Sequence, residues 1–283
     1  MISFKLANTV LLLIILTSIS YSQNSWDDYV SKAWGGNYSP YIEANAGYGT
    51  PNHVNISGAF EQVGTVELKF GFTELKKYKK YIQSLDNRYV FATKISSDLI
   101  NSASEGSDKI RSEMWRFGIG NRLGFGYEIG AFSLIPYHQM ALTITKPEFS
   151  DTNAVSHGDI EVLNRLQGDY RMGMTYEGGV QFYIAKSVSF NAGVEGAIIF
   201  PRYQVMKWAG SYALQAISLG AVSYFSEAIV NSSPFLGPIM YFVLKNGIAA
   251  AWYFAMKDQM YWPIDSEAPL AMETFRVGAS FTF

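Results

Sequence analysis

The sequence predicts an all-β chain, an antiparallel transmembrane β-barrel. Three observations carry this. The chain opens with an export signal, its later segments alternate apolar and polar residues with period two, and the charges of those segments are assigned to one parity.

Composition bounds the chemistry. The 283 residues carry 22 Lys+Arg against 24 Asp+Glu, a formal charge of −2, so no basic excess exists to neutralise nucleic-acid phosphates. The absence of cysteine removes disulfides, zinc–thiolate and iron–sulfur sites and thiol nucleophiles together. No His-Glu-x-x-His spacing, phosphate-cradling glycine loop or nucleophile motif occurs. The expectation is therefore no cofactor, no metal site and no assigned catalytic residue.

Residues 1–22 have the anatomy of a secretory signal peptide. Lys5 precedes an apolar run from Leu6 to Leu16, and Ser20 and Ser22 occupy the −3 and −1 positions before Gln23. The apolar core is shorter than the roughly 20 residues that a membrane helix needs. Residues 23–38 are expected to be a periplasmic N-terminal segment, and 39–283 the barrel.

The strands follow from parity. Ile42, Ala44, Ala46 and Tyr48 alternate with Glu43, Asn45 and Gly47; Val66, Leu68, Phe70 and Phe72 alternate with Glu67, Lys69 and Gly71. In 88–97, Tyr89, Phe91 and Ile95 oppose Arg88 and Lys94. In 112–125, Trp115, Phe117 and Ile119 oppose Arg116, Gly118, Gly120 and Arg122. A strand over 132–145 contains Pro136, which predicts a bulge that resets its register. Arg171 and Glu177 alternate with Met172, Met174 and Tyr176, and Glu195 with Val194. From Thr274 to Phe283, Phe275, Val277, Ala279, Phe281 and Phe283 alternate without a break against Thr274, Arg276, Gly278, Ser280 and Thr282. In a bilayer the apolar parity faces lipid, because only closed barrels and helices satisfy their own backbone groups there. Eleven charges are then expected to line the lumen: Glu43, Glu67, Lys69, Arg88, Lys94, Arg116, Arg122, Arg171, Glu177, Glu195 and Arg276. Seven are basic and four acidic, an excess that would favour anionic solutes if a passage exists.

Residues 203–262 are ambiguous. Lys245-Asn246-Gly247 between two apolar runs reads as a hairpin, which gives ten strands, the preferred count. The alternative is eight strands with a helical insertion, because Trp208, Tyr212, Gln215, Leu219 and Val222 have helix-like spacing near 204–230. On that alternative Ser233-Pro234 could cap a helix and Gly247 could end one.

With its alternating last strand ending in Phe283, the chain resembles the small outer-membrane β-barrel proteins of Gram-negative bacteria, as a class rather than one family. The resemblance implies residence in the outer membrane, contact with its lipids, and recognition by the barrel-assembly machinery through Phe275, Phe281 and Phe283. It also implies a structural, transport or ligand-binding role, with a narrow passage or pocket for small or hydrophobic solutes. The alternative is a surface lipid hydrolase or protease with a His-based site at the extracellular rim. For that, Ser156-His157-Gly158-Asp159 sets a base beside a hydroxyl and a carboxylate, while His53 and His138 are the other histidines.

Overall fold

The computed structural model describes residues 37–79, 81–100, 109–150 and 156–283. The signal peptide and most of the segment that follows it lie outside the described residues. Eight antiparallel strands form one closed barrel. They are β1 (Ser39–Asn52), β2 (Val63–Lys79), β3 (Ile82–Ser96), β4 (Arg111–Ile129), β5 (Phe132–Ser150), β6 (Arg171–Ala185), β7 (Val188–Ile199) and β8 (Leu270–Thr282). Neighbours in sequence are neighbours in the wall, and β8 closes on β1 from Tyr41↔Thr282 to Asn52↔Ala271. Closure leaves no sheet edge. The rim that carries Ser39 and Thr282 is called lower here, and the opposite rim upper.

Among the described residues three α-helices accompany the barrel: α1 (His157–Leu166), between β5 and β6, and α2 (Val205–Ser232) and α3 (Gly237–Asp258), both between β7 and β8. The ten-strand expectation is therefore corrected to eight. The Asn246-Gly247 pair lies in the middle of α3, which starts with Pro238 in its first turn and runs on through Gly247. Ser233 ends α2, its N–H donating to the Ile229 carbonyl at 2.7 Å. At 1.5 Å per residue, α2 is about 42 Å long and α3 about 33 Å. Among the described residues these are the two helices long and apolar enough to cross a membrane.

The two helices form a hairpin on the outside of the barrel. Outward-facing Met174, Tyr176, Ile198 and Ala271 pack against Ala249, Trp252, Tyr253 and Met256 of α3. Its turn is fastened to the lower rim: Tyr78 Oη donates to Asn231 Oδ1 at 2.9 Å, Lys79 Nζ to the Asn231 carbonyl at 2.6 Å, and Tyr127 Oη to the Phe235 carbonyl at 2.5 Å. Between the helices, Trp252 Nε1 donates to Ser218 Oγ at 2.7 Å and Lys245 Nζ to Ser223 Oγ at 2.6 Å. Polar bonds of this kind hold helices together where lipid removes the hydrophobic drive.

Two further expectations change. Pro136 makes no bulge: the β5–β6 ladder runs unshifted from Ser133↔Tyr183 to Thr145↔Arg171. On the β4 side the pairing is interrupted opposite Phe125 and Gly126 and resumes in the same register, as expected where proline lacks a donor. In β3 the parity is inverted. Tyr89, Phe91 and Ile95 are buried inside, and Arg88 and Lys94 lie on the outer face. The reason is across the ladder, where Tyr89 pairs with Gly120 and Phe91 with Gly118. A Cβ on Gly118 would stand 2.5 Å from the Phe91 ring, so the glycines of β4 make the room that these rings fill.

Candidate functional site

Eight of the eleven expected lumen charges are buried and joined across the barrel. Arg122 on β4 reaches Glu43 on β1 with two bonds, Nη1 to Oε2 at 2.7 Å and Nη2 to Oε1 at 2.8 Å. Such a contact between strands on opposite walls passes through the interior. Lys69 Nζ lies 3.2 Å from Glu43 and 3.3 Å from Glu67. Arg116 Nη1 donates to Glu195 Oε1 at 2.8 Å. Arg276 donates to both Glu67 and Glu195 and lies 3.5 Å from Glu177. Neutral groups fill the gaps: Gln139 accepts from Lys69 and Arg122 and donates to Glu177 at 2.9 Å. Tyr137 donates to Glu177, and Thr93 to Glu67 at 2.8 Å.

The other three charges sit elsewhere. Arg88 pairs with Asp86 at 3.2 Å on the outer face, Lys94 pairs with Glu113 beside the Trp115 ring, and Arg171 Nε donates to the Leu166 carbonyl at 3.1 Å at the upper mouth. All three are basic. Without them the interior holds four acids (Glu43, Glu67, Glu177, Glu195) and four bases (Lys69, Arg116, Arg122, Arg276), so the expected cationic excess disappears.

Largely apolar clusters flank this lattice at both ends. Above it, Val63, Ile95, Met114, Ile199, Leu270 and Met272 pack with Leu163 and Leu166 of α1. Below it lie Leu85, Ile135 and Tyr183.

The Ser-His-Gly-Asp motif has a structural use. Ser156 caps α1, its Oγ accepting from the Asp159 N–H at 3.1 Å. The Asp159 carboxylate accepts from Ser57 Oγ at 2.7 Å and from the N–H groups of Ser57 and Gly58. Those bonds from Ser57 hold its carboxyl below the ordinary aspartate range and tie α1 to the loop after β1. His157 is exposed at the start of α1, His53 lies in the β1–β2 loop, and His138 faces outward from β5 beneath α3. The three histidines thus stand on three separate parts of the molecule.

His53 gives the upper cap a pH response. Its Nδ1 accepts from the Asn55 N–H at 3.2 Å, so the proton of the neutral ring is on Nε2, which faces the Ala268 carbonyl at 3.2 Å. Burial lowers its pKa from the ordinary 6.5. A depressed folded-state pKa means stability that is present above the unfolded value and is lost as pH falls through the folded one. Acidifying from neutral to below 6 is therefore expected to lower the protection of amides at residues 53–58 and in α1, relative to their intrinsic exchange rates at each pH. His53→Phe should flatten that dependence in a hydrogen-exchange measurement, and an unchanged pH profile in the variant would assign the effect elsewhere.

A cavity lies outside the barrel. A groove of about 280 Å³ runs between α3 and strands β6–β8, lined by Gly178, Val194, Gly196, Ala249, Ala250, Tyr253 and Phe254 among others. Period-two parity missed it, because it is made by a helix lying on the outward-facing parity.

Among solved structures, the fold is similar to Neisserial surface protein A, at 9% identity and a TM-score of 0.41, covering 88% of this chain and 100% of that one. It is similar also to Ail, the attachment invasion locus protein of Yersinia pestis, at 10% identity and a TM-score of 0.36, covering 87% of this chain and 98% of that one. No family model matches. No curated protein matches either.

Proposed function

We propose that this chain is an outer-membrane protein that works at the wall of a closed barrel and does not conduct through its lumen: a binding protein of the bilayer rather than a channel. Outer-membrane residence is supported by the inverted polarity of the wall. Phe70, Ile119, Phe190, Val194, Phe275 and Phe281 are exposed outside while paired charges occupy the inside, an arrangement that water would penalise and lipid favours. On this reading residues 1–22 are removed on export, and Phe275, Phe281 and Phe283 supply the mark for the assembly machinery. The absence of a passage is supported by the single observation of a charge-balanced lattice between two largely apolar clusters. An eight-stranded barrel is just wide enough for its own side chains to fill it.

In planar bilayers the purified protein is expected to give no channel events above leak at 100 mV. Steady unitary currents that vanish on omitting the protein would overturn the proposal.

A further inference from the structure

We infer that the groove between α3 and the barrel wall is a binding site for one zwitterionic phospholipid, whose acyl chain lies in the groove and whose headgroup lies at its upper end. The inference rests on the reading of a wall-active membrane protein and names its ligand class.

The groove exists because small residues meet on both of its sides. Outward-facing Gly178 and Gly196 let α3 approach β6 and β7 closely: a Cβ on Gly178 would stand 2.8 Å from Asn246 Oδ1, and one on Gly196 2.8 Å from the Tyr253 ring. Ala249 and Ala250 do the same from the helix. Beyond this contact the surfaces part, leaving Val194 and Phe254, each 59% exposed, as the two lips of a slot open to the bilayer. Its volume of about 280 Å³ takes on the order of nine methylene-sized groups, at the ~30 Å³ that a water fills in the liquid. The lining is mostly apolar, with Asn246 beside Gly178 and Glu273 at the upper end as its outward-facing polar side chains.

The upper end is polar and holds both signs of charge. Glu273 points outward from β8, accepts from Tyr253 Oη at 3.3 Å, and lies 3.6 Å from Lys257 Nζ. Neither charged side chain is enclosed. An ammonium and a carboxylate side by side at the mouth of an acyl-sized slot complement a phosphate and an amine carried on one headgroup. A purely anionic head would meet Glu273, and an uncharged one would leave Lys257 and Glu273 paired only within the protein.

The test is native mass spectrometry of the full-length protein in a neutral maltoside detergent, titrated with phosphatidylethanolamine or with diacylglycerol of the same chains. The wild type is expected to retain one phosphatidylethanolamine and to prefer it over the diacylglycerol. Ala250→Trp and Val194→Trp, at exposed positions that need no repacking, fill the slot. Each should weaken retention about tenfold, the factor carried by roughly two buried methylenes. Val90→Trp on the far wall should leave it unchanged, and Lys257→Gln or Glu273→Gln should abolish the preference. Heat-modifiable gel mobility checks that each variant has folded. Equal retention by Ala250→Trp, Val90→Trp and wild type would mean annular lipid only and overturn the site, as would equal retention of the diacylglycerol. A protein that conducts in planar bilayers would instead overturn the reading beneath it, so the two failures are distinguishable.

Discussion

Replacing Arg276 with methionine is expected to cost the folded barrel about 3–5 kcal/mol, the range for removing one partner of a buried charge cluster. Arg276 is 3% exposed and serves three carboxylates, those of Glu67, Glu177 and Glu195. Two of these, Glu177 and Glu195, are direct cross-strand partners on one face, a placement that repels unless a cation lies between. Methionine fills much of the volume and supplies no charge, so the repulsion and the desolvation of the acids are left standing. Adding Glu177→Gln should recover much of the loss, because it removes the repulsion from Glu195 and leaves three acids against three bases, with Arg116 still on Glu195, Lys69 on Glu67 and Arg122 on Glu43. Urea unfolding from detergent micelles, followed by tryptophan fluorescence, measures each variant. An Arg276→Met loss below about 1 kcal/mol, the scale of a surface pair, would show that water reaches the lattice and that the lumen is not closed.

The same cluster shows what alternation could reveal. Glu43, Glu67, Lys69, Arg116, Arg122, Glu177, Glu195 and Arg276 were legible because each sits within a strand whose opposite parity is apolar over several residues, so a slip of one would expose the whole set. Arg88 and Lys94 were misplaced by the assumption that a charge marks the lumen. A long basic side chain on the outer face can keep its head at a polar boundary or beside an acid, as Arg88 does with Asp86 and Lys94 with Glu113. Aromatic rings are equally no proof of lipid contact. Tyr89 and Phe91 turn inward because Gly120 and Gly118 stand opposite, and that pairing depends on the β3–β4 register, which lies outside any single strand's pattern. Thr93, on the same parity as Tyr89 and Phe91 and bonded to Glu67, was the local hint.

The helical hairpin was illegible for a different reason. A helix apolar on nearly all sides has little amphipathic period to detect, and α2 and α3 need none, since one side meets the barrel and the other its surroundings. The Asn-Gly pair then dominated the local reading, although its hairpin preference rests on backbone freedom that a tertiary contact overrides. Nothing in the run itself announces that Asn246 has a partner 108 residues away. The bonds of Tyr78 and Lys79 to Asn231 likewise depend on where the hairpin turn falls. The groove combines both blind spots, a helix with little period lying on a parity already assigned to lipid.

Asn246→Leu is expected to destabilise the docked hairpin by about 1–3 kcal/mol, the cost of leaving a buried polar group unpaired. His138 faces outward in a wall of apolar neighbours, and its Nδ1 meets Asn246 Oδ1 at 3.1 Å. The Asn246 amide donates in turn to the Tyr137 carbonyl at 3.2 Å and to the Phe242 carbonyl at 3.0 Å. One side chain therefore ties α3 to β5 by two bonds and satisfies an imidazole that lipid would leave bare. Leucine removes both bonds and keeps His138 covered without a partner. His138→Leu alone orphans the amide oxygen at a similar cost, whereas the double variant leaves an apolar contact and should regain most of the stability. Hydrogen exchange in α3 reads the docking directly: faster exchange in each single variant and near-wild-type exchange in the double one is the expected pattern. Additive losses in the double variant would mean that the two side chains act independently and that the hairpin is held by its apolar face and its fastened turn alone.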